Sequence, residues 1–116
     1  MKQIPDELLQ QIVQRLVDAL HPLQIWLFGS HASGRTHQHS DLDLMLVVPD
    51  DAGELDDLTA QGYRALRHMG IPKDLMLFYQ RDMRYWAPVK FSLPYEATRN
   101  GRLLYAAEQP TRATVA

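Results

Sequence analysis

Asp41 and Asp43 stand one residue apart at the head of an apolar run that ends at Val48. In an extended chain alternate side chains point to the same side, so these two acids share one face while Leu42 and Leu44 share the other. Like charges this close cost stability unless something positive stands between them. A divalent cation meets that need. Carboxylate oxygens are hard ligands, and Mg²⁺ binds through one or two of them together with water and the phosphates of a substrate.

A phosphate chain needs its own cradle. Gly29 directly follows the apolar stretch Leu23 to Phe28, and a glycine there can make a tight turn that brings backbone close to a ligand. Ser30 adds a hydroxyl, and a helical turn over residues 30–33 would aim free N–H groups at an anion. Ser33 and Gly34 keep the loop small. A polyphosphate held by this turn and bridged by metal to Asp41 and Asp43 makes a phosphoryl or nucleotidyl transfer site, where positioning and charge neutralisation do most of the catalysis. Such a two-metal site takes a third acid. Asp74 stands beside Leu75, Met76 and Leu77, an awkward place for an uncompensated charge. If its strand pairs with that of Asp43, it serves as metal ligand or as general base for an attacking hydroxyl. The alternative is an edge-strand acid paired with Lys73 or an arginine.

Rival motifs fail. Gly29 to Gly34 is neither a dinucleotide-binding glycine loop nor a Walker loop, since no Gly-Lys-Ser/Thr follows. Met45 and Leu46 occupy places where an EF-hand requires an oxygen ligand and a glycine. His31, His37 and His39 in the same polar loop leave a transition-metal site conceivable, although solvated histidines are the commoner outcome. Trp26, Tyr85, Trp86 and Tyr95 read most simply as core or interface aromatics.

The elements that must hold these groups follow from pattern. Pro5-Asp6-Glu7 opens a helix over about residues 5–20, with Leu9, Ile12, Leu16 and Leu20 among the apolar positions at helical spacing. Residues 23–28 and 41–48 read as strands, 54–69 as a second helix ending at Gly70, and 71–79 as a third strand with Pro72 near its start. Residues 81–93 fit no single element, 95–100 suit a helix capped by Gly101, and 103–105 a last short strand or turn. The alternation predicts an α/β fold, a small mixed β-sheet with helices packed on it.

Composition bounds the rest. The chain has 116 residues, 46% hydrophobic and 22% charged, which suits one globular domain. Cysteine is absent, which excludes disulfides, thiolate metal sites and Cys nucleophiles, and fits a cytoplasmic protein. No apolar run could span a bilayer. The net charge of −2 carries no footprint for direct nucleic-acid binding. Charge is nonetheless uneven. Acids crowd residues 41–57 without a Lys or Arg, whereas Arg64, Arg67, Lys73, Arg81, Arg84, Lys90, Arg99 and Arg102 follow. These bases are either solvated helix faces or one basic face for an anionic ligand or acidic partner.

Gly29-Ser30, ten residues, then Asp41-Leu42-Asp43, with Ala32, Gly34, Ser40 and Leu44 in register, resembles the signature of the minimal nucleotidyltransferases of the polymerase-β superfamily. His31 stands where members often carry Arg. The match covers the α-β-turn-β-α-β order over about residues 5–80 and, more weakly, residues 101–105, and implies a polymerase-β-like fold; the domain is expected over residues 1–108, with 109–116 a frayed tail. The resemblance implies that Gly29 and Ser30 contact the triphosphate of ATP and that Ser40 supports the loop. It also implies that Asp41 and Asp43 bind two Mg²⁺ ions and that Asp74 is the third carboxylate. Small stand-alone members are commonly antitoxins paired with a HEPN ribonuclease toxin, and some transfer AMP to a tyrosine of that toxin. The expected activity is therefore adenylylation of a partner protein. The alternatives are neutralisation by binding alone, and nucleotidyl transfer to a small molecule such as an aminoglycoside.

Overall fold

A computed structural model of the chain describes residues 4–29, 32 and 41–107. Helix α1 (Asp6–Leu20) forms because its apolar residues recur at helical spacing, and Leu9, Ile12, Leu16 and Leu20 are buried along one stripe. Pro5 precedes it in extended backbone, and Asp6 and Glu7 place their charges at the positive end of the helix dipole. His21, in the left-handed conformation, ends the helix by donating its N–H to the Val17 carbonyl at 2.9 Å. The chain continues through β1 (Gln24–Phe28), β2 (Leu42–Val48), α2 (Leu55–Ala65), β3 (Lys73–Tyr79), α3 (Gln80–Trp86), α4 (Leu93–Asn100) and β4 (Arg102–Ala106).

The strands make one four-stranded mixed sheet in the order β3-β2-β1-β4. Strand β1 is antiparallel to both β2 and β4, while β2 and β3 run parallel, joined by α2 as a crossover helix. This is the expected α/β architecture. Strand β2 is central and buried almost throughout. Leu42, Leu44, Leu46 and Val48 point to one side, where with Ile25, Leu27, Leu75 and Leu77 they meet α1 and α2. On the other side Met45 and Val47 meet Met83 of α3 and Ala97 of α4, with Trp26, Phe28 and Phe78 alongside. Each fully buried Leu contributes roughly 1.5–3 kcal/mol, so β2 with its neighbours anchors the domain.

Several boundaries differ from the sequence reading. Helix α2 stops at Ala65 rather than 69, because the Leu66 N–H turns to the Gly62 and Tyr63 carbonyls, both at 3.2 Å, and tightens the final turn. Residues 81–93, which fit no single element, contain α3 and a turn. The start of α3 is capped from afar, the Asp50 Oδ1 accepting the Arg81 N–H at 2.9 Å, so no local cap marks it. Helix α4 starts two residues before 95, with Ser92 as its cap and Pro94 in its first turn. The tail expected at 109–116 lies outside the described residues.

Candidate active site

The site stands at the end of the sheet where β1 finishes and β2 and β3 begin. Asp43 is paired in register with Phe28 of β1 on one side and with Asp74 of β3 on the other. Residues paired across a ladder project from the same face, so the Asp43 and Asp74 side chains leave adjacent strands side by side, about 5 Å apart at the backbone. Asp41 stands just ahead of β2. The ladder still runs there, the Leu42 N–H donating to the Pro72 carbonyl at 2.9 Å, and the alternation carried back two residues puts Asp41 on the same face. The three acids therefore edge one face of the sheet.

That face is divided. Helices α3 and α4 cover its far half over Met45 and Val47. The acid half is open: Asp41 and Asp74 are exposed and Asp43 is half-buried. Among the described residues no cation pairs with Asp74, and the Lys73 ammonium instead donates to the Ile71 carbonyl at 3.2 Å. The alternative of an edge acid neutralised by Lys73 is thereby set aside. The bases of residues 64–102 do not gather into one face either. Arg64 belongs to α2 on one side of the sheet, Arg84 and Arg99 to α3 and α4 on the other, and the Arg81 and Arg99 guanidinium groups stack on the Tyr79 and Tyr95 rings. Packing helices on both sides of the sheet separates what the sequence lists together.

Gly29 closes the site from the side of β1. Its φ of 77° is left-handed, and a Cβ built on it would overlap the Asp43 Oδ2. The glycine is thus required twice, for the backbone conformation and for the room that the carboxylate occupies. Ser30 and Ser40, the other proposed nucleotide contacts, lie outside the described residues, as do His31, His37, His39 and all of the suggested helical turn except Ala32. Ala32 is half-buried against the α1 side of the core.

Metal fit can be judged from the donor set. Among the described residues no three His, Asp or Glu side chains come close enough to hold an ion between them. Two neighbouring carboxylates are nevertheless what Mg²⁺ takes from a protein when phosphate oxygens and water fill the remaining positions. The acids fit a cation shared with a bound nucleotide better than a closed structural site.

The exposure of Phe91 was missed from sequence, and of the two readings of Tyr85 and Trp86 the core one does not hold. Tyr85 and Trp86, read as core or interface aromatics, are exposed, and so is Phe91. Trp26 and Phe28 of β1 and Phe78 of β3 are the aromatics that join the packing beside Met45. The available signal was the run of large apolar residues over 85–91 without helical spacing.

The family model for the nucleotidyltransferase domain matches residues 7–104, which takes in Gly29 and all three acids. The chain belongs to the nucleotidyltransferase domain family. Solved structures share its fold. A protein from Sulfolobus solfataricus proposed to be a nucleotidyltransferase superimposes with a TM-score of 0.61 at 18% identity, covering 89% of this chain and 81% of the other. A toxin–antitoxin solved with AMP-PNP gives 0.62 at 20% identity, covering 86% and 74%. A further protein proposed to be a nucleotidyltransferase gives 0.53 at 15% identity, over 84% of this chain and 97% of that one. At these identities the likeness is one of fold. No protein of curated function matches the sequence significantly. For this nucleotidyltransferase, no helix among the described residues is long and apolar enough to cross a membrane.

Proposed function

We propose that this nucleotidyltransferase uses Mg²⁺ and ATP to transfer AMP to a hydroxyl of a partner protein, a tyrosine of a HEPN-type ribonuclease toxin in the cytoplasm, and so acts as its antitoxin. The observation that carries the reading is the register of Asp74 beside Asp43 at the open end of the sheet. The toxin–antitoxin neighbour with AMP-PNP supports the pairing with a toxin and the choice of an adenine nucleotide.

Asp41 and Asp43 would hold the metal, with Asp74 beside them. The bound ion supplies positive charge against the triphosphate oxygens. Gly29 lets the backbone approach the phosphates, and Ser30 and Ser40 serve the same loop. The acceptor oxygen forms a bond to the α-phosphorus as the bond to the β-phosphate oxygen breaks, and pyrophosphate leaves. Asp74 takes the proton of the attacking hydroxyl or completes the metal's shell. Because α3 and α4 leave the acid end uncovered, an acceptor presented by a second protein can reach it.

The test is the intact mass of the protein encoded beside this chain, after incubation with ATP, Mg²⁺ and this protein. The expected result is a gain of one AMP, absent with Asp41→Asn/Asp43→Asn. An unchanged mass overturns the reading, and a double variant that still suppresses toxicity shows neutralisation by binding alone.

A further inference from the structure

Tyr85, Trp86, Val89 and Phe91 are large apolar side chains that the core does not use, crowded into the end of α3 and the turn that follows. Phe91 is 92% exposed and Tyr85 66%, so both rings stand largely in water in the isolated chain. Phe91 also sits at a φ of 71°, a left-handed conformation that bulky side chains avoid. The turn is nonetheless firmly built. The Val89 N–H donates to the Trp86 carbonyl at 2.8 Å, and the Ser92 hydroxyl lies 2.8 Å from both the Trp86 and Val89 carbonyls. The same hydroxyl oxygen accepts the Tyr95 N–H at 3.2 Å, tying the turn to α4. The Tyr85 and Trp86 rings meet edge to face, with centroids 4.9 Å apart. A strained backbone is thus held rigidly so that an aromatic ring stands in water, which local preference and core packing leave unexplained.

We propose that this turn is the docking surface for the partner protein, with Phe91 entering an apolar pocket whose acidic rim meets Arg84 and Lys90. The inference rests on the reading that this chain acts on another protein. Preorganised Trp, Tyr and Arg side chains dominate the energetics of protein interfaces, and exposed bases beside them select an acidic rim. A second copy docked about a two-fold axis would set Arg84 and Lys90 against themselves. A protein occupant rather than an anionic bilayer follows from the proposed transfer to a partner protein, and the vesicle arm of the test below separates the two.

The test measures binding of the protein encoded beside this chain by titration calorimetry. Phe91→Gly removes the ring and suits the positive φ, so the fold is kept or stabilised while affinity falls at least about 30-fold. Arg84→Glu with Lys90→Glu slows association and reduces its salt dependence. Arg64→Ala, on α2 at the other side of the sheet, leaves binding intact. Undiminished binding by Phe91→Gly overturns the surface and leaves the proposed transfer reaction standing. No binding by the wild type overturns the partner reading and this inference with it. Loss of a wild-type dimer in Phe91→Gly, or of sedimentation with phosphatidylcholine–phosphatidylglycerol vesicles, would assign the surface to a second copy or to a bilayer and overturn it as stated.

Discussion

Replacing Gly29 by Ala separates the two reasons for a glycine there, because Gly70 supplies the control. Both residues have left-handed backbone, with φ of 77° and 70°, but a Cβ at Gly70 meets nothing within 4 Å whereas one at Gly29 overlaps the Asp43 carboxylate. Gly70→Ala should therefore cost only the conformational term, about 1–2 kcal/mol. Gly29→Ala carries the same term plus the collision, which adds about 1–3 kcal/mol when a packed group must shift. The carboxylate has to turn aside or β2 has to move, and a displacement of about 1 Å at a reacting centre lowers turnover about 100-fold. Urea unfolding followed by Trp fluorescence gives the stabilities, and the initial rate of AMP transfer gives the functional effect. The expected pattern is a larger stability loss and a collapse of the rate in Gly29→Ala, with Gly70→Ala as active as the wild type. Equal stabilities and equal rates in the two variants would refute the close approach of Gly29 to Asp43.

Three further outcomes are expected. Leu44→Ala, at a fully buried position of the central strand, should lower the unfolding free energy by about 2–5 kcal/mol in the same urea titration. Tyr63→Phe removes the hydroxyl that accepts the Leu75 N–H at 3.0 Å on the outer edge of β3, and should cost about 1 kcal/mol while leaving AMP transfer intact. Asp74→Asn should lower the transfer rate about 100-fold or more, yet hold or raise stability, because it removes one of two like charges on paired strands.

The sheet was legible in the sequence because β2 needs an apolar residue at every second position and something chemical at Asp41 and Asp43. The parallel pairing of β2 with β3 could be stated only as a condition, since register depends on the α2 crossover and on contacts distant in sequence. Asp74 met that condition. Helix α3 escaped notice because its capping group, Asp50, comes from the far end of another connection. The basic run dissolved for a similar reason, as helices on opposite sides of a sheet divide neighbours in sequence. Phe91 was invisible as a functional candidate because a single aromatic gives no sign of its own exposure or backbone angle. The placement of Ser30 and Ser40 lies outside the described residues.

The central claim is that Asp41 and Asp43, with Asp74 beside them, hold a divalent cation together with a bound nucleotide. Titrating Mn²⁺ into the protein with and without AMP-PNP, read by electron paramagnetic resonance, tests it most directly. The account predicts tight Mn²⁺ uptake by the wild type only when nucleotide is present, abolished in both Asp41→Asn and Asp43→Asn. Uptake in those variants equal to the wild type would contradict it.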